Sequence, residues 1–274
     1  MKMRLKDGKL KVLTLSYDDG VVQDIRLIEI MNKYGLKGTF NVNSGVYLAE
    51  DAVRERYYGR MKLSEAKELY INSGHEVGVH AYKHVFLEKM DTAEIIYQIT
   101  EDRKAIENDY GQLARGMAYP FGTYNQKVID ILEKCHICYA RTVNPTLGFG
   151  FPENWLMLHP TCSHRYEHLD ELIKKFVEVP HKWNNAEMFY MWGHSYSFDN
   201  DDNWDMFEKF CEYAGGHDHI LYATNIEIYD YVKAYERLQT SYDKKIIHNP
   251  SAIDVWVEID REVYCVKAGE TIHI

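Results

Sequence analysis

The chain has 274 residues, a formal net charge of −10 and an aromatic content of 14%, led by 22 tyrosines. This length allows one large α/β domain with a substantial buried core. The acidic balance, without a run of lysine or arginine, argues against nucleic acid as a partner. No stretch approaches the roughly 20 apolar residues that cross a membrane, and the first residues lack the apolar core of an export signal, so we expect no membrane partner and a cytoplasmic location.

Short apolar runs alternate with helical periodicity through most of the chain. The predicted strands are residues 10–17, 38–42, 76–80, 117–119, 139–142, 156–161, 188–192 and 220–223. The predicted helices are residues 22–34, 64–72, 92–108, 126–134, 169–179, 204–213 and 226–238. This alternation predicts a parallel sheet, open or closed into a barrel, with the chemistry at the C-terminal ends of its strands.

From about residue 241 the pattern changes. Residues 255–260 and 263–266 alternate between apolar and polar around Arg261-Glu262, and Ala268-Gly269-Glu270 precedes a final strand. This pattern predicts a β-hairpin appendage. We therefore divide the chain into a barrel domain, 1–240, and a C-terminal β extension, 241–274, that packs on the barrel. A structural role is favoured for the extension over substrate binding.

The first predicted strand ends in Tyr17-Asp18-Asp19-Gly20. Adjacent carboxylates at the end of a buried strand are unfavourable by several kcal/mol unless they coordinate a metal or carry a proton for chemistry. A simple turn is the alternative. Two adjacent carboxylates therefore make this strand end a candidate metal or proton-transfer site.

Three later segments also place polar groups after apolar strands. His80 and His84 are four residues apart and offer two imidazoles, which Zn²⁺ prefers as ligands. The turn Tyr-Pro-Phe-Gly at 119–122 allows backbone N–H groups to point into a cavity and stabilise an oxyanion. His194, in Trp-Gly-His, is a candidate proton donor. Taken singly, each segment has an ordinary alternative. The turn could be only a turn, and the histidines could be incidental in a chain that contains 13 of them.

Together and in this order, the four segments resemble the polysaccharide deacetylase family, carbohydrate esterase family 4 with its NodB-like homology domain, over roughly residues 11–223. The resemblance implies a distorted (β/α)7 barrel that removes acetyl groups from N-acetylated sugars with one divalent metal. Zn²⁺ is our first choice, and Co²⁺, Ni²⁺, Mn²⁺ and Fe²⁺ stay open.

By matching position, the resemblance also implies a role for each residue of the site. It makes Asp18 the catalytic base and His194 the general acid. Phe121 replaces the tyrosine whose backbone N–H helps to form the oxyanion hole. The metal ligands would be Asp19, His80 and His84.

The chain departs from the family pattern at two points. Family members often carry an arginine two residues before the proline, where it orients the base, but Ala118 stands there; Arg115 and Arg141 are the possible substitutes. The family's Asp-Trp element, whose aspartate tunes the acid histidine, has only a weak counterpart in Asn154-Trp155. These departures weaken the predicted base and acid roles more than the predicted metal ligands.

The sequence thus predicts a metal-dependent hydrolase of carbon–nitrogen bonds other than peptide bonds, acting on an N-acyl amino sugar or oligosaccharide. Tyr119, Trp192 and Tyr196 are candidates for stacking on a sugar ring, with core packing as the alternative. Three other functions stay open: a hydrolase of another small non-peptide amide, a non-catalytic carbohydrate-binding protein, and a non-haem iron oxygenase. The oxygenase is included because two histidines and one carboxylate also form its metal site. The oligomeric state is not indicated.

Overall fold

The computed structural model describes residues 1–53, 59–180 and 184–274, and a parallel sheet forms its centre. After a short first strand, β1 (Lys2–Arg4), the parallel strands follow in chain order. They are β2 (Lys11–Asp18), β3 (Gly38–Val42), β4 (Glu76–Val79), β5 (Gly116–Ala118), β6 (Tyr139–Arg141), β7 (Cys162–Ser163), β8 (Glu187–Gly193) and β9 (Ile220–Tyr222). The spatial order is β6-β5-β4-β3-β2-β8-β7, and β9 pairs with the first half of β2.

The sheet curls until β6 approaches β7, and the segment before β7 joins them. Arg141 pairs with Leu158 in a parallel bridge. Leu158 N–H donates to the Ala140 carbonyl, and the Leu158 carbonyl accepts from Thr142 N–H, both at 3.0 Å. The seven strands β2 to β8 therefore form a distorted α/β barrel, which confirms the predicted fold class. The predicted strand at 156–161 is wrong: only Leu158 forms a bridge there, and β7 begins at Cys162. Residues 155–157 form a 3-10 turn, and Pro160 has no amide hydrogen to donate.

Helices cover the outside of the sheet. They are α1 (Gln23–Lys33), α2 (Leu63–Ile71), α3 (Thr92–Tyr110), α4 (Gln126–Lys134), α5 (Leu169–Val177), α6 (Tyr196–Asn200), α7 (Trp204–Ala214) and α8 (Asn225–Glu236). The short α6 was not predicted. In the longest, α3, Asp91 and Glu94 form a capping box and Gly111 ends the helix at φ 67°. None of the helices described combines the length and apolar character needed to span a bilayer.

The C-terminal residues form two small antiparallel sheets. One joins β10 (Gln239–Thr240), β11 (Ile246–His248) and β14 (Thr271–His273), and the other joins β1, β12 (Val255–Ile259) and β13 (Glu262–Val266). The β12–β13 hairpin lies where the alternation predicted it. The addition of β1, with Lys2 opposite Glu258, was not predicted. The domain boundary at residue 240 stays a prediction, and the pairing of β1 means that N-terminal residues share a sheet with the extension.

Candidate active site and metal centre

The C-terminal ends of β2, β4, β5, β6 and β8 surround one cavity of about 520 Å³. This is the end of a parallel barrel at which loops gather functional groups. Every residue that the sequence predicted for the site lines this cavity. They are Asp18, Asp19, His80, His84, Tyr119, Phe121, Trp192, His194 and Tyr196. The structure therefore brings the predicted residues together, while the role of each stays a prediction.

Asp18 is buried at the end of β2 and is held by two neighbours. Its Oδ1 accepts a hydrogen bond from Asn41 Nδ2 at 2.9 Å, and its Oδ2 is ion-paired with the Arg141 guanidinium. Burial by itself would raise the pKa of Asp18, but the charge of Arg141, with smaller contributions from His80 and His194, holds that pKa well below its usual range. Asp18 is therefore a carboxylate at neutral pH, as a proton acceptor must be.

Arg141 is the arginine that contacts the proposed base Asp18, where the family's own arginine position holds Ala118. It is fully buried at the end of β6, and its guanidinium carbon lies 4.3 Å from the centroid of the Trp192 ring. Arg115, the other candidate, instead donates to Asp230 at 2.9 Å and does not line the cavity. Sequence alone left the two arginines open because neither precedes the proline at the family's spacing.

Asp19, His80 and His84 form a set with the chemistry of a metal site. One ligand atom from each lies within 4.8 Å of the others. His80 Nδ1 is 2.8 Å from the Ala118 carbonyl oxygen, so Nδ1–H donates there and Nε2 keeps a free lone pair. Burial lowers the pKa of His80 to about 4 and also lowers that of His84, which keeps both imidazoles neutral. A carboxylate with two neutral imidazoles fits Zn²⁺ or a similar divalent ion.

The backbone at the site is strained in a way the sequence did not show. Asp19, His84 and Phe121 have φ values of 88°, 50° and 58°, in the left-handed region that non-glycine residues seldom adopt. Such conformations persist where surrounding contacts impose them, and they concentrate at functional sites.

Arg60 and Asn43 hold the backbone of the proposed metal ligands, and sequence reasoning missed both. Arg60 donates to Asp19 Oδ1 at 3.1 Å, to the Asp19 carbonyl and to Asn43 Oδ1 at 3.0 Å. Asn43 in turn donates to the carbonyls of His80 and Ala81. These contacts link residues far apart in the chain, so no local spacing indicates them.

Asp102 supports the same backbone from α3. It accepts hydrogen bonds from His80 N–H at 2.9 Å and from Ser44 N–H at 2.7 Å. One sequence feature could have identified it, because Asp102 is a carboxylate on the same apolar face of α3 as Ile99 and Ile106.

His194 directly follows β8 and lines the same cavity. Its Nε2 is 3.8 Å from Asp19 Oδ2, too long for a hydrogen bond, and its side chain is 29% exposed. Phe121 is half exposed and stacks on Phe86 with 3.8 Å between the ring centroids. Its ring centroid also lies 4.4 Å from that of His84. These positions leave His194 accessible from the cavity and place Phe121 against a proposed metal ligand.

The three aromatic residues predicted to stack on a sugar ring differ in their exposure to the cavity. Tyr119 is only 1% exposed, and its hydroxyl donates to the Leu156 carbonyl at 2.9 Å. Trp192 and Tyr196 are partly exposed, with ring centroids 5.7 and 5.1 Å from that of His194. The Asn154-Trp155 element lies away from the cavity, where Asn154 caps a 3-10 turn.

Comparison with known proteins gives a consistent family match. The family model described as polysaccharide deacetylase matches residues 6–140, which include every site residue named above except Arg141, Trp192, His194 and Tyr196. The peptidoglycan-N-acetylglucosamine deacetylase PgdA of Listeria monocytogenes is 26% identical over 122 residues, covering 44% of this chain and 23% of PgdA. The uncharacterized protein YlxY of Bacillus subtilis is 28% identical over 106 residues, covering 39% of this chain and 29% of YlxY. The chain thus spans about a quarter of the length of these relatives.

A solved structure shows the same fold over most of the chain. A candidate polysaccharide deacetylase from Mycobacterium smegmatis matches with a TM-score of 0.60 and 14% identity, covering 86% of this chain and 95% of that one. The likeness covers a larger share of the chain than the residues 6–140 matched by the family model.

Proposed function

Because this chain belongs to the polysaccharide deacetylase family, we propose that it is a metal-dependent hydrolase that removes an N-acyl group, acetyl in the first instance, from an amino sugar or oligosaccharide. The observation that carries the proposal is a single cavity that holds a charged buried carboxylate, an Asp-His-His ligand set and an accessible histidine. No nucleic acid or membrane partner is proposed. The cytoplasmic location stays a prediction from the sequence.

Asp19, His80 and His84 would hold the metal. A bound divalent ion supplies Lewis-acid chemistry: it polarises the amide carbonyl and lowers the pKa of water from 15.7 towards about 7. Zn²⁺ is the first choice for this ligand set, and Co²⁺, Ni²⁺, Mn²⁺ and Fe²⁺ are alternatives to be tested.

Asp18 would act as the general base. It takes a proton from water as the water oxygen bonds to the acyl carbon, and the Arg141 charge keeps Asp18 deprotonated until then. The Phe121 backbone N–H would stabilise the oxyanion that forms on the carbonyl oxygen. We assign to Arg141 the base-orienting role of the family's arginine.

His194 would act as the general acid. As the carbon–nitrogen bond breaks, the nitrogen must gain a proton to leave as an amine, and an imidazolium beside the cavity is suited to supply it. The products are the free carboxylate and the amino sugar. Trp192 and Tyr196, which flank His194, would pack against the sugar ring, whereas the burial of Tyr119 favours a supporting role.

A non-catalytic carbohydrate-binding protein is the second candidate. The observation that favours it concerns the proposed acid: within residues 1–53, 59–180 and 184–274, no carboxylate lies within hydrogen-bonding distance of the His194 ring, and Asp19 at 3.8 Å is the nearest ion-pair partner. The ion pair between Arg141 and Asp18 weakens this alternative, because it would fill the role that Ala118 leaves open.

The test is acetate release from N-acetylated monosaccharides, chito-oligomers and peptidoglycan fragments. Metal-stripped protein would be reloaded separately with each divalent ion, and Asp18→Asn and Asp19→Asn would be compared with the parent protein. We expect metal-dependent release that both variants lose, and loss of stoichiometric metal binding in Asp19→Asn alone. Glycan binding without turnover under any metal would favour the second candidate. Turnover that required Fe²⁺ together with O₂ would indicate an oxygenase.

A further inference from the structure

Asp24 is a buried carboxyl that the proposed chemistry does not use. It lies in the first turn of α1, directly after the loop that carries Asp18 and Asp19, and it is 1% exposed. Its Oδ1 accepts a hydrogen bond from the Ser195 hydroxyl, and its Oδ2 accepts one from the Tyr70 hydroxyl at 2.6 Å. Burying a carboxyl is unfavourable without such partners, so its contacts fix the groups that make them.

The neighbour of Asp24 makes a second connection to the same element. Gln23 Nε2 donates to Asp199 Oδ2 at 2.8 Å, and Asp199 Oδ1 accepts from Trp204 Nε1 at 2.7 Å. Successive residues of α1 therefore hold the start and the end of the segment formed by Ser195 and α6. This segment is joined through α1 to the loop of the proposed base and metal ligand.

His194 lies between two fixed neighbours. On one side is Gly193, where an added Cβ would collide with the His164 imidazole, so the backbone packs directly on that ring. On the other side is Ser195, which is fully buried and bonded to Asp24. In the part of the chain described, no carboxylate hydrogen-bonds the His194 ring itself. The orientation of His194 therefore depends on its backbone and on the flanking rings of Trp192 and Tyr196.

We infer that Asp24 is a positioning residue for the proposed general acid, acting through the hydroxyl of Ser195. This inference rests on the proposed function of His194. Asp24 takes part of the role that a carboxylate on the imidazole would otherwise have, since it fixes the residue next to the acid rather than the ring. It also couples the acid to the base, because α1 begins four residues after Asp19.

Two single-hydroxyl deletions separate positioning from simple structural support. Ser195→Ala removes the hydrogen bond next to His194. Tyr70→Phe is the matched control, because it removes the other hydroxyl from the same buried carboxyl, at a residue of α2 that does not line the cavity. Each variant deletes one hydroxyl oxygen and leaves the rest of a buried side chain in place. A general weakening of the contacts of Asp24 should therefore affect the two variants equally.

The kinetic test compares two leaving groups with zinc-loaded protein. An N-acetyl sugar needs a proton on its leaving nitrogen, whereas 4-nitrophenyl acetate releases a stable phenolate without one. We expect Ser195→Ala to lower kcat for the amide about tenfold or more and to leave ester turnover within about twofold, since the general acid serves only the first reaction. Tyr70→Phe should change both reactions equally. Equal losses of amide and ester turnover in Ser195→Ala would overturn the inference.

A readout that needs no turnover keeps the inference testable if the proposed function fails. The imidazole ¹H–¹⁵N spectrum of metal-stripped protein, with the His194 signal identified by His194→Gln, should show a shifted His194 signal in Ser195→Ala and an unchanged one in Tyr70→Phe. A His194 signal unmoved in Ser195→Ala would overturn positioning whatever the activity. A parent protein that hydrolyses no N-acyl substrate, yet shows the expected shift, would instead count against the proposed function alone.

Discussion

The charge of Asp18 depends on a side chain 123 positions away in the chain. Burial opposes ionisation of this carboxyl and Arg141 favours it, and the guanidinium outweighs burial. Without Arg141 the buried carboxyl would keep its hydrogen bond from Asn41 but lose the guanidinium that balances its charge. The pair is therefore a structural requirement as well as a proposed part of catalysis.

We predict that Arg141→Met lowers the free energy of unfolding at neutral pH by about 3–5 kcal/mol, because the variant leaves a buried carboxylate unpaired. The depressed pKa of Asp18 means that the pair stabilises the fold above the ordinary carboxyl pKa, and that this stabilisation is lost as the pH falls towards the depressed value. In the variant, burial without the guanidinium would instead raise the pKa of Asp18 above its ordinary value, so Asp18 takes up a proton as the pH falls from 7 to 4 and the deficit should shrink over that range. Urea unfolding of metal-stripped protein from pH 7 to pH 4 measures it. The double variant Arg141→Met/Asp18→Asn should recover most of the lost stability. A stability deficit of Arg141→Met that did not change with pH would contradict the proposed charge of Asp18.

A second prediction concerns the contact between Gly193 and His164. A methyl group at Gly193 would collide with the buried imidazole, so Gly193→Ala should cost about 1–3 kcal/mol of stability through overpacking. Gly150→Ala is the control, since an added Cβ there meets nothing within 4 Å. Equal unfolding midpoints in urea for the two variants would show that the strand end adjusts freely.

At the scale of elements, the loops after β4 and β5 meet in a column of stacked groups. Lys89 Nζ lies 4.0 Å from the Phe86 ring centroid, and Phe86 stacks on Phe121, which contacts His84. The exposed aromatic pair therefore supports a proposed metal ligand whose backbone is strained. The same two rings would otherwise suggest only a surface for sugar binding.

We predict that Phe86→Ala weakens zinc binding about two- to tenfold, the effect of losing an aromatic contact worth about 0.5–1.5 kcal/mol. Competition with a chromophoric chelator measures the zinc Kd. Tyr97→Ala is the matched control, because Tyr97 is a half-exposed ring that pairs with Tyr82 and does not line the cavity. If both variants bound zinc like the parent protein, the column would have no part in holding His84.

The sequence predicted most elements because each parallel strand is an apolar run followed by turn residues. It located Asp18, His80 and His194 correctly at strand ends for the same reason. It could not select Arg141 or find Arg60, since both are placed by contacts between distant segments. It also missed β1 and α6, because elements of three and five residues carry too little periodicity to identify.

At the scale of the whole molecule, β1 joins the two ends of the fold. Arg4 and Glu258 are both buried and ion-paired, and the Tyr231 hydroxyl of α8 donates to the Arg4 carbonyl at 2.6 Å. The first strand is thereby fixed to the C-terminal hairpin and to the last helix of the barrel.

We predict that Arg4→Met destabilises the protein by about 3–5 kcal/mol, because it leaves the buried Glu258 carboxyl without its ion-pair partner. The double variant Arg4→Met/Glu258→Leu should recover much of that loss. Lys33→Met, which breaks the exposed pair with Glu208, should change stability by less than about 1 kcal/mol. Urea unfolding of the three variants tests this order, and an equal effect of the buried and exposed pairs would refute it.

Metal binding should also stabilise the whole fold. Zinc at about 100 times its Kd should add about 2.7 kcal/mol to the free energy of unfolding, because the ion binds only the folded site. Thermal unfolding of metal-stripped protein with and without zinc measures this gain. Asp19→Asn should abolish it, whereas Asp109→Asn, at a surface ion pair with Lys67, should retain it.

The pairing of β1 with β12 has a consequence for biosynthesis. Arg4 is translated 254 residues before Glu258, and at 5–20 residues per second the ribosome needs roughly 10–50 s to cover that interval. The barrel strands leave the ribosome in between and can begin to pair with one another. β1 is therefore ordered later than the barrel strands that follow it, and Arg4 has no counterion from Glu258 until β12 has been translated.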